Sequence, residues 1–151
     1  IESFSKLHTH VDMAVHLAIL GTGEQESLLR SLIAKHELQD SISLVGFQDN
    51  PYAWMRKADL FVLSSRWEAL PTVLIEAMAC GTNIVSTDCP SGPREILPPA
   101  LHDHLVEVGD TSALAQQMSQ VLRHPITAKQ WTTAVSHFSF AHAATAYSEL
   151  I

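Results

Sequence analysis

Apolar residues in this chain fall into short dense runs, each followed by a small or polar turn and then by apolar residues at helical spacing. Ile1, Phe4 and Leu7 are spaced as one face of an amphipathic helix. Residues 15–20 then read as a short buried strand, Gly21-Thr22-Gly23 punctuates it, and a helical pattern runs from Glu24 to about residue 37. The alternation repeats, with a strand at 42–45, a helix at 50–58 and a strand at 59–63. Asn50 is placed to cap its helix and Pro51 to occupy the first helical position. A polar loop over 64–70 leads into a helix at 71–80, which Gly81 would end as its cap glycine. Further strands are expected at 83–86 and 105–108, and helices at 111–123, 128–138 and 141–151.

Nearly all-apolar strands separated by helices imply a parallel sheet covered on both faces and reached by right-handed crossovers, a doubly wound α/β domain. One such domain is expected over residues 1–151. The Pro-rich segment 90–99 is the only hinge candidate and reads as a surface loop. Ligands of this architecture sit beyond the carboxyl ends of the strands, so function is expected in the loops after Leu20, Val45, Leu63 and Ser86. The helical pattern is already in progress at Ile1, which predicts a piece of a longer protein.

Composition narrows the function classes. The chain is 46% hydrophobic and 17% charged, which suits a folded globular domain. A formal net charge of -7 argues against a broad grip on nucleic acid or anionic lipid. Cys80 and Cys89 form neither a disulfide framework nor a metal motif, so a reducing, cytoplasmic setting is expected, with the intact parent free or peripheral to a membrane. No apolar run is long enough for a membrane span. Among nine histidines, His8 and His10 point in different directions on a helix and His102 and His104 flank a loop, so no metal is expected. Trp54, Met55, Trp131 and Phe138 read as packing residues, and Cys89 as accessible but not activated.

Two loops carry candidate chemistry. Gly21-Thr22-Gly23 could bring backbone N–H groups to a phosphate at the next helix start, or be only a tight turn; it lacks the third glycine of a dinucleotide fingerprint. The segment Ser64-Ser65-Arg66-Trp67-Glu68-Ala69-Leu70-Pro71-Thr72-Val73-Leu74-Ile75-Glu76-Ala77-Met78-Ala79-Cys80-Gly81 is more specific. Glu68 lies in a strand-to-helix loop and Glu76 about one and a half turns into the helix, so both can approach one crevice. The N–H groups of Thr72 and Val73 would offer donors to a diphosphate, and the Glu76 carboxylate could accept both ribose hydroxyls. As an isolated pair, these glutamates would instead read as solvated charges.

This segment resembles the Glu, seven residues, Glu signature of the retaining glycosyltransferases of family 4, in the GT-B superfamily. The resemblance continues through Asn83-Ile84-Val85-Ser86-Thr87-Asp88, Ser91-Gly92-Pro93-Arg94-Glu95-Ile96, His104-Leu105-Val106-Glu107-Val108-Gly109-Asp110 and Phe138-Ser139-Phe140. Upstream, residues 17–24 and Leu44-Val45-Gly46-Phe47 are similar to the family's strand-loop units, so nearly the whole chain is covered. The resemblance implies a Rossmann-like C-terminal half of a GT-B enzyme, with a nucleoside diphosphate sugar as substrate and no cofactor. It implies that Glu68 faces the donor sugar as the catalytic carboxylate and Glu76 binds the ribose. Gly46 and Phe47 would lie near the base, with Gly21 and Gly23 in the first loop; Leu70, Pro71, Thr72 and Val73 would line the sugar and diphosphate.

The sequence departs from the family in two respects. Ala69 stands where glycine is common, so its methyl could crowd the loop or the sugar. The family's first strand and loop, with an Arg and a Lys for the diphosphate, and its amino-terminal acceptor domain are not in these 151 residues. Arg66 and Arg94 are the nearest remaining cations, and the acceptor, a glycan or lipid-linked hydroxyl, would be held through that other domain. A sugar-nucleotide epimerase of the same superfamily and a non-catalytic nucleotide-binding module remain the alternative readings.

Overall fold

The computed structural model describes residues 1–139 together with 142 and 148. In chain order the elements are α1 (Glu2–His10), β1 (Leu17–Leu20), α2 (Glu26–Lys35), β2 (Ile42–Gly46), α3 (Pro51–Lys57), β3 (Leu60–Leu63), α4 (Thr72–Ala79) and β4 (Asn83–Thr87). They are followed by α5 (Pro93–Ile96), a 3-10 turn (Pro99–His104), β5 (Leu105–Val106), α6 (Thr111–Arg123), α7 (Ala128–Ala134) and a second 3-10 turn (Ser136–Phe138). The helix expected at 141–151 lies outside the described residues except at 142 and 148.

All strand pairs are parallel, as the apolar runs predict, but the hydrogen bonding is not one continuous sheet. β1 pairs with β2, and β3, β4 and β5 form a second ladder in that order. No ladder joins β1 to β3 among the described residues. The two sheets nonetheless share one apolar cluster, in which Leu17, Ile19 and Leu44 meet Leu60, Val62, Val85 and Val106 beneath α1 and α6. A second cluster lies on the other face, where Leu74 and Met78 of α4 pack with Ile84, Ile96, Leu97 and Trp131. Consecutive residues of β4 thus enter opposite clusters, Ile84 one and Val85 the other, as the two-residue period of a strand requires. Each such fully buried aliphatic side chain contributes about 1.5–3 kcal/mol.

Local signals set several element ends. Asn50 accepts a hydrogen bond from the Ala53 N–H at 3.2 Å, capping α3 with Pro51 at its first position. α4 ends as expected at Gly81, whose φ of 79° lets its N–H reach Met78 O while Thr82 N–H reaches Ala77 O, the paired bonds of a Schellman motif. The expected strand at 105–108 stops at Val106, because Glu107 to Asp110 form a turn and Asp110 then caps α6 through the N–H groups of Ser112 and Ala113. α7 stops at Ala134 and tightens into the 3-10 turn, shorter than the helix expected at 128–138.

The largest difference concerns 90–99. This segment is no surface loop: Pro93, Ile96 and Leu97 are buried and α5 forms inside it. Pro93 opens α5, and Ile96 and Leu97 join the apolar cluster beneath α4, where burial outweighs the tendency of proline to mark exposed loops. Trp131, fully buried, behaves as a packing residue, and its indole N–H donates to Asn83 Oδ1 at 3.1 Å. His104 stands edge-on to that ring, with Nδ1 2.8 Å from Ile84 O. Trp54 and Phe138, by contrast, remain 40% and 36% exposed.

Candidate functional site

The loop between β3 and α4 is held from below by small hydroxyl residues. Thr87, at the carboxyl end of β4, donates to Ser65 O at 2.6 Å. Ser65 in turn donates to Glu68 Oε1 at 2.6 Å, and Ser91, beyond β4, donates to Glu68 O at 2.6 Å. Glu68 is therefore half-buried and oriented, with hydrogen bonds on one carboxylate oxygen and on its main-chain carbonyl. Gly92 closes the arrangement with φ 92°; a Cβ there would collide with the Pro71 ring and sit 3.2 Å from Ala69 O. Sequence reasoning assigned no role to Ser65, Thr87, Ser91 or Gly92. The available signal was their position, directly after the carboxyl ends of β3 and β4.

Glu76 lies on α4, half-buried, and its carboxylate has no partner among the described residues. The expected amide donors need correction. Thr72 N–H is spent on Leu70 O at 2.9 Å, and Pro71 has no N–H to give. Leu70 and Val73 amides have no acceptor among the described residues, so they are the donors left at the start of α4. Ala69 is accommodated without backbone strain: among the described residues Glu37 is the only non-glycine at positive φ. Its side chain is exposed.

The first loop is tied to the second. Gly21 N–H donates to Gly46 O at 2.8 Å, with φ of 106° and 75° at the two glycines, so this amide is not free for a phosphate. α2 begins at Glu26, two residues later than expected, which moves Gly21 and Gly23 off the helix start. A cleft of about 370 Å³ opens over these loops, lined by Leu20, Gly21, Gly23, Glu26, Arg30 and Gly46. Its cation, Arg30, is paired with Glu26 at 2.6 Å. Phe47 stands 72% exposed beside it. A larger groove of about 740 Å³ runs between α1 and α6 and contains none of the expected site residues.

The two cations near the crevice differ. Arg94 is engaged by Asp88, through Nη2 and through Nε at 3.0 and 3.1 Å, and these bonds together with the Asp88 charge hold its pKa above the ordinary value. Arg66 is exposed and makes no ion pair among the described residues. Cys89 is buried rather than accessible, its thiol 3.7 Å from Ser91 O. Burial pushes that thiol pKa up, helped by the charges of Glu68 and Asp88 and opposed by backbone hydrogen bonds. Among the described residues no group of three or more His, Cys, Asp or Glu is placed to hold a metal ion.

The family model described as "Glycosyl transferases group 1" matches residues 1–137. The chain belongs to the group 1 glycosyl transferases. This glycosyl transferase domain is 34% identical over 122 residues to the N-acetylgalactosamine-N,N'-diacetylbacillosaminyl-diphospho-undecaprenol 4-alpha-N-acetylgalactosaminyltransferase of Campylobacter jejuni, covering 81% of the chain and 32% of that protein. It is 30% identical over 142 residues to the lipopolysaccharide core biosynthesis glycosyltransferase LpsE of Rhizobium meliloti, covering 91% of the chain and 42% of that protein. The chain thus spans well under half the length of these relatives. Its fold is that of the pneumococcal O-GlcNAc transferase GtfA, solved in complex with UDP and GlcNAc, with a TM-score of 0.84 at 18% identity over 99% of the chain and 31% of that structure. The doubly wound α/β architecture is accordingly the Rossmann-like fold of GT-B glycosyltransferases. No helix among the described residues is long and apolar enough to cross a membrane.

Proposed function

We propose that this domain binds the donor of a retaining glycosyltransferase of family 4, which moves a sugar from a nucleoside diphosphate to a hydroxyl of a glycan or lipid-linked acceptor. The observation that carries this reading is the contrast within the β3–α4 unit: Glu68 is held by Ser65 and Ser91, while the Glu76 carboxylate has no partner among the described residues. A fixed carboxylate suits a reacting centre, and an unpartnered one suits a ligand's hydroxyls. UDP in the GtfA complex makes a nucleoside diphosphate the natural class of donor.

In the reaction, the bond between the anomeric carbon and the diphosphate oxygen breaks, and its electron pair leaves with the diphosphate. The Leu70 and Val73 amides, the positive end of α4 and the Arg66 guanidinium would stabilise that departing charge. Glu68 would stabilise the electron-poor sugar carbon while the acceptor oxygen bonds to the same face and gives its proton to the departing diphosphate oxygen. Phe47, on the loop after β2, would lie against the base, near Gly46. The acceptor would be positioned by a second domain, in a reaction between the two. Calorimetry with UDP, GDP and their sugar conjugates tests the reading; binding of a nucleotide sugar that Glu76→Ala leaves unchanged would sink it.

A further inference from the structure

Glu68 is the carboxylate that the proposed reaction depends on, and two hydroxyls hold it, one from its own loop and one from beyond β4. Ser65 donates to Oε1 at 2.6 Å, and Oε2 has no partner among the described residues. Ser91, twenty-three residues away in sequence, donates to the Glu68 carbonyl at 2.6 Å. Both serines are themselves held: Ser65 O accepts the Thr87 hydroxyl at 2.6 Å, and Ser91 O lies 3.7 Å from the Cys89 thiol. Gly92 then abuts the Pro71 ring, leaving no room for a side chain between the two loops.

We propose that Ser65 and Ser91 are positioning residues for Glu68, forming with Gly92 a bracket built on the carboxyl end of β4. The Ser65 hydroxyl has one hydrogen to give and spends it on a carboxylate, a charge-assisted bond stronger than a neutral one. That bond selects one rotamer of Glu68 and leaves its second oxygen for the donor sugar. The Ser91 bond acts on the main chain, so it holds the loop rather than the carboxylate. Together they divide the work: one sets the height of the loop above the sheet, the other sets the direction of the side chain. The cost of misplacing a reacting group by about 1 Å can reach a hundredfold in rate, so a bracket of this kind is kinetically significant without touching substrate.

This inference rests on the proposed donor-site reading, and the experiment separates the two. In the full-length enzyme, release of UDP or GDP from UDP-glucose, UDP-N-acetylglucosamine or GDP-mannose is measured for Ser65→Ala, Ser65→Thr, Ser91→Ala and Glu68→Ala, with affinity for the bare nucleotide measured alongside. Ser65→Ala and Ser91→Ala are expected to lower kcat about tenfold, the effect of losing one such bond. Bare nucleotide affinity is expected to stay at the wild-type value, because the nucleotide does not reach Glu68. Ser65→Thr keeps the hydroxyl and should retain most of the rate. Adding Ser65→Ala to Glu68→Ala should cost nothing further, since the bond it removes is already gone.

Wild-type kcat in both serine variants, with Glu68→Ala impaired, would overturn the bracket and leave the donor site standing. A Ser65→Ala loss that persists undiminished in the Glu68→Ala background would also overturn it, by showing that the hydroxyl acts on the fold. Wild-type turnover in Glu68→Ala, or no turnover of any sugar conjugate by the unmodified enzyme, would sink the donor-site reading itself, and the bracket with it. Should Ser91→Ala fail to fold, the Ser65 series decides alone.

Discussion

Glu76 and Cys89 occupy opposite chemical situations, and each yields a test at the scale of a single side chain. Glu76 is half-buried on α4 with no partner among the described residues, so removing it leaves none of their donors unsatisfied. If it accepts both ribose hydroxyls, Glu76→Ala removes bonds of about 1.5–3 kcal/mol each before water compensates. Nucleotide affinity in calorimetry should fall at least about tenfold with the fold intact. Glu76→Gln keeps one acceptor oxygen and should fall between, and a deoxyribonucleotide should lose most of the difference between wild type and variant. Cys89 is buried, and its thiol pKa stands above the ordinary 9.0. A folded-state value above the unfolded one means that the associated stability is fully present below about pH 9 and is lost as pH rises towards the folded value. The melting temperature should therefore decline above pH 9, and Cys89→Ala should flatten that decline relative to its own value at pH 7. In native protein, iodoacetamide should modify Cys80, which is half-buried, well before Cys89.

Elements meet through glycines at two places, with different consequences. At Gly81 the chain leaves α4 in the left-handed region, and a Cβ would lie 2.8 Å from the Ala128 Cβ of α7. Gly81→Ala should cost about 1–2 kcal/mol for the backbone conformation alone, with the α7 contact adding to it. The expected result is a lower urea midpoint at unchanged slope, with nucleotide affinity of the folded protein unaffected. Gly92 shares the positive φ, but its missing Cβ faces Pro71 and Ala69 O in the β3–α4 loop. Substitution there pushes on the segment that carries Glu68, so the loss should fall on turnover as well as on stability. Gly81 was legible from the sequence as a helix end, because a cap is a local signal. The tightness at Gly92 was not, because the group it meets lies twenty-one residues back along the chain.

At the scale of the whole molecule, the described residues bring the β3–α4 loop and the cleft at β1–β2 to the carboxyl ends of two parallel sheets. They span about a third of the Campylobacter relative. Purified on its own, this chain should show no sugar transfer, since positioning the second substrate can account for about 7–11 kcal/mol of barrier. Robust transfer to a glycan acceptor by the 151 residues would contradict this. The periodicity of apolar runs was enough for the alternation of strands and helices and for parallel pairing, and the residue types Asn50 and Pro51 were enough for the α3 cap. The β3–α4 unit was found through the resemblance of the whole segment from Ser64 to Gly81 to a family signature, since the Glu68 and Glu76 pair alone reads as two solvated charges. Which strands pair was decided only in three dimensions, where β1 joins β2 and β3 joins β4, leaving no ladder between β1 and β3 among the described residues. The same is true of the donation of Gly21 N–H to Gly46, the engagement of Arg94 by Asp88, the burial of Pro93 and Cys89, and the grip of Ser91 on Glu68. Periodicity records the local preference of each segment for a helix, a strand or a turn. Hydrogen bonds and burial between segments depend on which surfaces meet once those elements pack, and neighbouring residues in the chain carry no record of that.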